Sequence, residues 1–97
     1  MKLKIVRKTM PDGITRLKLS GEINIYSIKK VKEFLLAEMM KTRGILLDCS
    51  DVDDADTSAF QLFIFLRNEA GRSRKQFSIT EMKGRLKSMS DLYRESF

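Results

Sequence analysis

Ninety-seven residues suffice for one small domain with its own core and are too few for two. With no histidine and a single cysteine, the chain cannot build a His-dependent catalytic triad, a Cys/His zinc site or an intrachain disulfide. A formal charge of +6 raises nucleic-acid binding, but the basic residues are dispersed and the aromatics sit mostly in apolar segments, so no direct nucleic-acid contact is expected. No apolar run approaches the ~20 residues a membrane span needs. The opening MKLKIVRK alternates charged and apolar residues and lacks a signal-peptide core. The expectation is a cytoplasmic protein without membrane insertion.

Leu3, Ile5 and Val6 predict a first strand over residues 2–8. Met10-Pro11-Asp12-Gly13 is a turn, because proline presets φ and glycine supplies the permissive position. Residues 14–20, with Ile14, Leu17 and Leu19, read as the hairpin partner. Ser27 is placed to cap a helix whose stripe is Ile28, Val31, Phe34, Leu35 and Met39, running to about Thr42. After Gly44, Ile45-Leu46-Leu47 predicts a buried central strand ending in Cys49, a small apolar filler.

Asp51, Asp53, Asp54 and Asp56 follow, and read as an acidic loop. Asp56 is a good N-cap for a helix that opens with Thr57-Ser58. On a helical wheel Ala59, Leu62, Phe63, Leu66 and Ala70 share a core face. Phe60 and Ile64, with Arg67 beside them, lie on one flank and Phe65 on the other. Either the helix is buried on several sides, or Phe60 and Ile64 form an exposed patch that docks a partner. Residues 68–75 read as a polar connection with Gly71 at the helix end. Residues 76–80 predict a fourth strand, and a last helix begins near Met82 or Lys83, carrying Leu86, Met89, Leu92 and Tyr93. The order β-β-α-β-α-β-α predicts one α/β domain over residues 1–97. It has a mixed sheet of four to five strands, first a hairpin and then parallel strands, packed by three to four helices.

Ser58 falls in the first turn of a helix, where a phosphate is favoured by the terminus yet surrounded by aspartates. No Lys or Arg lies between Asp48 and Leu66 in sequence. From the residues alone this reads as a switch for partner binding.

The run Asp56-Thr57-Ser58-Ala59-Phe60-Gln61-Leu62 resembles the signature of the STAS domain family, the sulfate-transporter and anti-sigma-factor-antagonist module. LKLSGE at 17–22 is similar to the family's strand ending in Leu-x-Gly-Glu/Asp. Ala59 stands for the family's usual Gly and Phe60 for its usual Leu. The resemblance implies a non-enzymatic regulatory protein without a cofactor. It further implies phosphorylation at Ser58, with Thr57 second, by an anti-sigma factor/serine kinase of the histidine-kinase-like ATPase fold, and a matching phosphatase. Asp54, Asp56, Thr57, Ser58, Phe60, Ile64 and Arg67 are the expected partner contacts. The family also reaches constitutive subunits of transport, chemotaxis or scaffold complexes, which need no phosphorylation.

Other chemistries for the acidic run fit poorly, and no metal is expected. An EF-hand starting at Asp51 has Ala55 at a ligand position, Asp56 for the turn Gly and Leu62 for the required Glu. An aspartyl-phosphate phosphotransferase rests on a lone Asp-x-Asp without room for a substrate domain. A phospho-receiver with Asp48 at a strand end would want acids after the first strand, where Arg7-Lys8 stand. There is no Gly-rich phosphate loop, so any ATP site belongs to the partner.

Overall fold

Strand β1 (Lys4–Thr9) pairs antiparallel with β2 (Ile14–Ile23), from Lys4↔Ser20 to Thr9↔Thr15. This is a computed structural model and describes residues 3–97, so the expected start of the first strand at Lys2 lies outside the described residues. At the turn, the Gly13 amide donates to the Met10 carbonyl at 3.0 Å and Gly13 takes φ +86°, which favours glycine. Leu17, Leu19 and Ile23 point into the core, so β2 runs past the expected end at 20.

Helix α1 (Ile28–Met40) buries Val31, Leu35 and Met39, while Ile28 is half-buried and Phe34 lies at the exposed edge of the stripe. Ser27 occupies the cap position but does not cap. Its hydroxyl accepts from the Asn24 amide and donates to the Asn24 carbonyl, both at 3.2 Å, which closes the preceding turn instead. Near the other end, Glu38 is only 4% exposed and is held by Arg7 of β1 at 2.9 Å and by Lys41 at 3.2 Å. A buried carboxylate needs such partners, and here they tie the edge strand to the helix.

Strand β3 (Gly44–Ala55) corrects the expected acidic loop. Asp51, Asp53 and Asp54 are strand residues: Ser20 pairs with Asp51, Gly21 with Val52, Glu22 with Asp54 and Ile23 with Ala55. Register shifts between Lys18 and Ser20 and between Gly21 and Glu22 each insert one extra β3 residue, forming two bulges. A bulge lets two successive side chains face outward, so Asp53 and Asp54 are both exposed while Val52 and Ala55 are buried. At the start of β3, a Cβ on Gly44 would stand 2.3 Å from the Gln76 carbonyl oxygen; only glycine allows this approach of β4.

Helix α2 (Thr57–Ser73) is longer than expected. Gly71 lies inside it, exposed, and the helix closes at Arg74, whose left-handed backbone donates to the Ala70 and Gly71 carbonyls. Strand β4 (Gln76–Glu81) pairs parallel to β3, and α3 (Gly84–Leu92) follows. Leu86 and Met89 of α3 join the core, and Lys83 and Arg85 stand 3.6 and 3.7 Å from Asp53 and Asp54.

The sheet order is β1-β2-β3-β4. Both parallel crossovers step the same way across the sheet, so right-handed connections put α1 and α2 on one face. The opposite face carries Val6, Lys8, Arg16, Lys18, Leu46 and Thr80 around a shallow depression. The described residues therefore form a single small α/β domain with four strands and three helices. Among the described residues no helix is long and apolar enough to cross a membrane.

Candidate functional site

The site is built on Asp56, the single residue between β3 and α2. Its backbone is extended, and Oδ1 accepts from the Ser58 amide at 3.0 Å, a side-chain cap of the kind the sequence predicts. The same oxygen accepts a hydrogen bond from the Ser58 hydroxyl. Oδ2 accepts from the Ile25 amide at 3.0 Å, and the Asp56 amide donates to the Ile23 carbonyl at 3.2 Å. One carboxylate thus starts α2, orients Ser58 and pins the β2–α1 loop. Burial pushes its pKa up, but the Ser58 hydroxyl and the amides of Ile25, Ser58 and Ala59 outweigh that and hold it below the usual carboxylate range.

Ser58 is half-buried and Thr57 exposed. Asp54 is exposed; its Oδ1 accepts from the Ala55 amide at 2.9 Å and faces Arg85. Beside Asp56 the pinned loop presents Ile25, 68% exposed, and Tyr26, 94% exposed. Sequence reasoning passed over both, although two large apolar side chains ahead of a predicted helix cap are a readable sign. Beyond them a groove of about 580 Å³ opens between β1 and α1, lined in part by Leu3, Ile5, Tyr26 and Phe34.

Of the two readings open for the flanks of α2, burial on several sides holds at Phe60 and the exposed patch does not. Ala59, Leu62, Phe63, Leu66 and Ala70 are core, as the wheel predicts. Phe60, however, is only 6% exposed. The residues after α3 fold back over it: Tyr93 lies 5.5 Å from its ring and Phe97 lies 5.9 Å away, edge-on. Phe97 also meets Phe63 and Phe77, and its carbonyl accepts from the Ile79 amide at 2.9 Å. Arg67 fastens this strap, bonding Glu95 at 2.6 Å and the Ser96 carbonyl at 3.1 Å, with its guanidinium 5.2 Å from the Phe97 ring centre. Phe60 is thus covered and Arg67 engaged; Ile64 remains half-buried in a small groove with Thr57, Phe60, Gln61 and Tyr93.

On the other flank, a groove of about 420 Å³ between α1 and α2 brings Lys29 and Lys32 to the same surface as Ser58, Gln61 and Phe65. Lys32 lies 4.4 Å from the Phe65 ring centre. These are cations that the local sequence around Ser58 does not contain.

Among the described residues no group of three or more acids or cysteines could hold a metal ion. Asp48 sits mid-strand, its carboxylate accepting from the Ser50 amide at 2.9 Å, rather than at a strand's carboxyl end. Cys49 is fully buried, and burial together with the nearby Asp48 charge pushes its thiol up to about 12, which leaves it inert.

Comparison with known proteins agrees with this architecture. A candidate anti-sigma factor antagonist of Thermotoga maritima superposes with a TM-score of 0.82 at 18% identity, covering 93% of this chain and 78% of that one. An anti-sigma factor antagonist of Mycobacterium paratuberculosis gives 0.81 at 14%, covering 96% and 79%. The Bacillus cell fate determinant SpoIIAA in its phosphorylated form gives 0.75 at 9%, covering 93% and 83%. At such identities the likeness is one of fold. No curated protein sequence matches the chain closely enough to be set beside it. The family model described as "Mlab, STAS domain" matches residues 6–94, almost the whole chain, and with the capped Asp56-Thr57-Ser58 turn at the head of α2 it establishes that this chain belongs to the STAS domain family.

Proposed function

We propose that the chain is a regulatory binding module of the anti-sigma-factor-antagonist type, switched by phosphorylation of Ser58. Unmodified, it docks on a serine kinase/anti-sigma partner of the histidine-kinase-like ATPase fold. The docking surface is the turn at residues 54–58, Ile64 at its margin, and the exposed Ile25 and Tyr26 beside it. Phe60 and Arg67, covered and engaged by the strap, support this surface from behind. The observation that carries the reading is the Ser58 hydroxyl: half-exposed, at the head of α2, and held by Asp56 next to an apolar loop. Burying Ile25 and Tyr26 against a partner is worth about 3–5 kcal/mol before association costs.

In the transfer step the Ser58 oxygen attacks the γ-phosphorus of ATP held by the kinase. The Oγ–P bond forms, the β–γ bridge breaks, and ADP leaves. The hydroxyl proton passes by way of Asp56 to water. Asp56 is too weak a base to keep it, and phosphoryl transfer asks mainly for positioning. Thr57 is the second acceptor, and a matching phosphatase restores the binding form. That SpoIIAA, of the same fold, exists in phosphorylated and unphosphorylated forms supports the reading.

The test is intact mass after incubation with ATP and candidate kinases encoded beside this chain. A gain of about 80 Da that is absent from Ser58→Ala is expected. In calorimetry with the kinase, Ser58→Asp should weaken binding and Ser58→Ala should keep it; equal affinities would count against the switch. A second reading, a constitutive subunit docking on an ATPase or scaffold, is favoured by one observation: the Ser58 hydroxyl already has a full partner in Asp56. It predicts no mass change and indifference to both variants.

A further inference from the structure

Ser58 stands between two unlike walls. On its own segment is Asp56, whose Oδ1 accepts both the hydroxyl and the amide of Ser58. Across the groove of about 420 Å³, α1 presents Lys29 and Lys32, and among the described residues no acidic side chain lines that groove. The Lys32 ammonium lies 4.4 Å from the ring centre of Phe65, which lines the same groove, so an attraction to the ring face favours its charge on that side. Esterification of Ser58 removes the proton that joins it to Asp56. Two acceptors then meet, and a phosphate of charge near −2 sits against a carboxylate. Rotation of the Ser58 side chain away from Asp56 and toward α1 relieves this.

On the reading that Ser58 is the acceptor, we propose that Lys29 and Lys32 are the internal counter-charges of the phosphorylated side chain. They draw the phosphate off Asp56 and into the α1–α2 groove. Asp56 keeps its bond to the Ile25 amide, so the β2–α1 loop stays pinned. The modification therefore fills a groove and silences two lysines, and the partner meets a changed surface on an unchanged backbone. Lys29 and Lys32 are positioning residues for the modified state and play no part in forming it.

The test installs phosphoserine at position 58 during translation and follows the phosphate by ³¹P NMR as pH is varied. Asp56 is the acid in hydrogen-bond contact with Ser58, and its repulsion is common to every protein compared. The second ionisation, near pH 6 for a free phosphoserine, is expected about half a pH unit lower in the parent than in Lys29→Gln/Lys32→Gln. The gap should close in ~1 M salt, where the screening length is about 3 Å. A distant pair, Arg72→Gln/Lys87→Gln, matches the change in net charge and should leave the midpoint within about 0.1 unit of the parent. All four side chains are on exposed positions, so the fold is retained. Equal midpoints in parent and groove variant, or an equal shift from the distant pair, would overturn the proposal. Because no kinase is used, failure of any kinase to modify Ser58 would instead strike the functional reading and leave this result standing.

Discussion

Asp56→Ala removes three interactions at once, and their sum can be worked from the geometry. Loss of the N-cap to the Ser58 amide costs about 1 kcal/mol. The bond from the Ile25 amide to a charged acceptor contributes about another 1 kcal/mol. The half-buried Ser58 hydroxyl finds water, so its loss adds roughly 0.5 kcal/mol or less. The expected total is about 2–2.5 kcal/mol, a fall in Tm of roughly 10–15 °C for a domain of this size. Asp56→Asn caps about as well as Asp and keeps one accepting oxygen, but its amide nitrogen cannot accept from Ile25; the loss should be about 1 kcal/mol. Urea unfolding of the three proteins, with amide exchange at Ile25 as the local probe, should rank them parent, Asn, Ala. An Ala variant within about 0.5 kcal/mol of the parent, or one equal to Asn, would show that this carboxylate is not the staple of the site.

The same carboxylate has an acid signature. A folded-state value held below the unfolded one of about 3.9 contributes stability above that pH, lost as pH falls through the folded value. Stability measured from pH 5 downward should therefore fall less steeply in Asp56→Asn than in the parent; parallel curves would contradict the hydrogen-bond assignment. Thr15 is 1% exposed and its hydroxyl has no hydrogen-bond partner among the described residues, so Thr15→Val should stabilise by about 1 kcal/mol in chemical denaturation. A loss of stability there would mean that the hydroxyl is satisfied after all. Arg67→Ala should loosen the strap at a cost of about 1–2 kcal/mol and speed amide exchange at Ile79. Unchanged exchange would show that Phe97 holds without it. Gly44→Ala should destabilise by more than about 2 kcal/mol, read as a lowered urea midpoint, because its Cβ meets β4 backbone that cannot move aside.

Much of this fold is written in local pattern. The Pro-Asp-Gly turn, the stripe of α1 and the α2 core face from Ala59 to Ala70 follow from periodicity and turn chemistry, and the topology follows from their order. Asp56 was legible as a cap for the same local reason. What escaped notice is non-local. A run of aspartates disfavours strand on propensity, yet residues 51–55 extend the sheet because β2 offers free backbone partners and α3 supplies Lys83 and Arg85. Tyr93 and Phe97 lie 33 and 37 residues from Phe60, and nothing in their spacing announces that they close over it. Lys29 and Lys32 likewise come to share a groove with Ser58 only through the packing of two helices.

The paired bulges in β3 carry a lesson about tolerance to insertion and deletion. Side-chain facing along a strand has a period of two, and a bulge absorbs one extra residue by letting two successive side chains share the outer face. Val52 therefore still faces inward beside Gly21, and Ala55 beside Ile23, on either side of the second bulge. Loss of one outward residue from a bulge, Asp53 for example, would restore plain alternation and leave Ala55 inward and Asp56 near Ile25. Length variation in this strand among relatives should accordingly come in single steps at these two places. A single-residue change elsewhere in the strand, where no bulge takes it up, would turn the side chains after it to the wrong face.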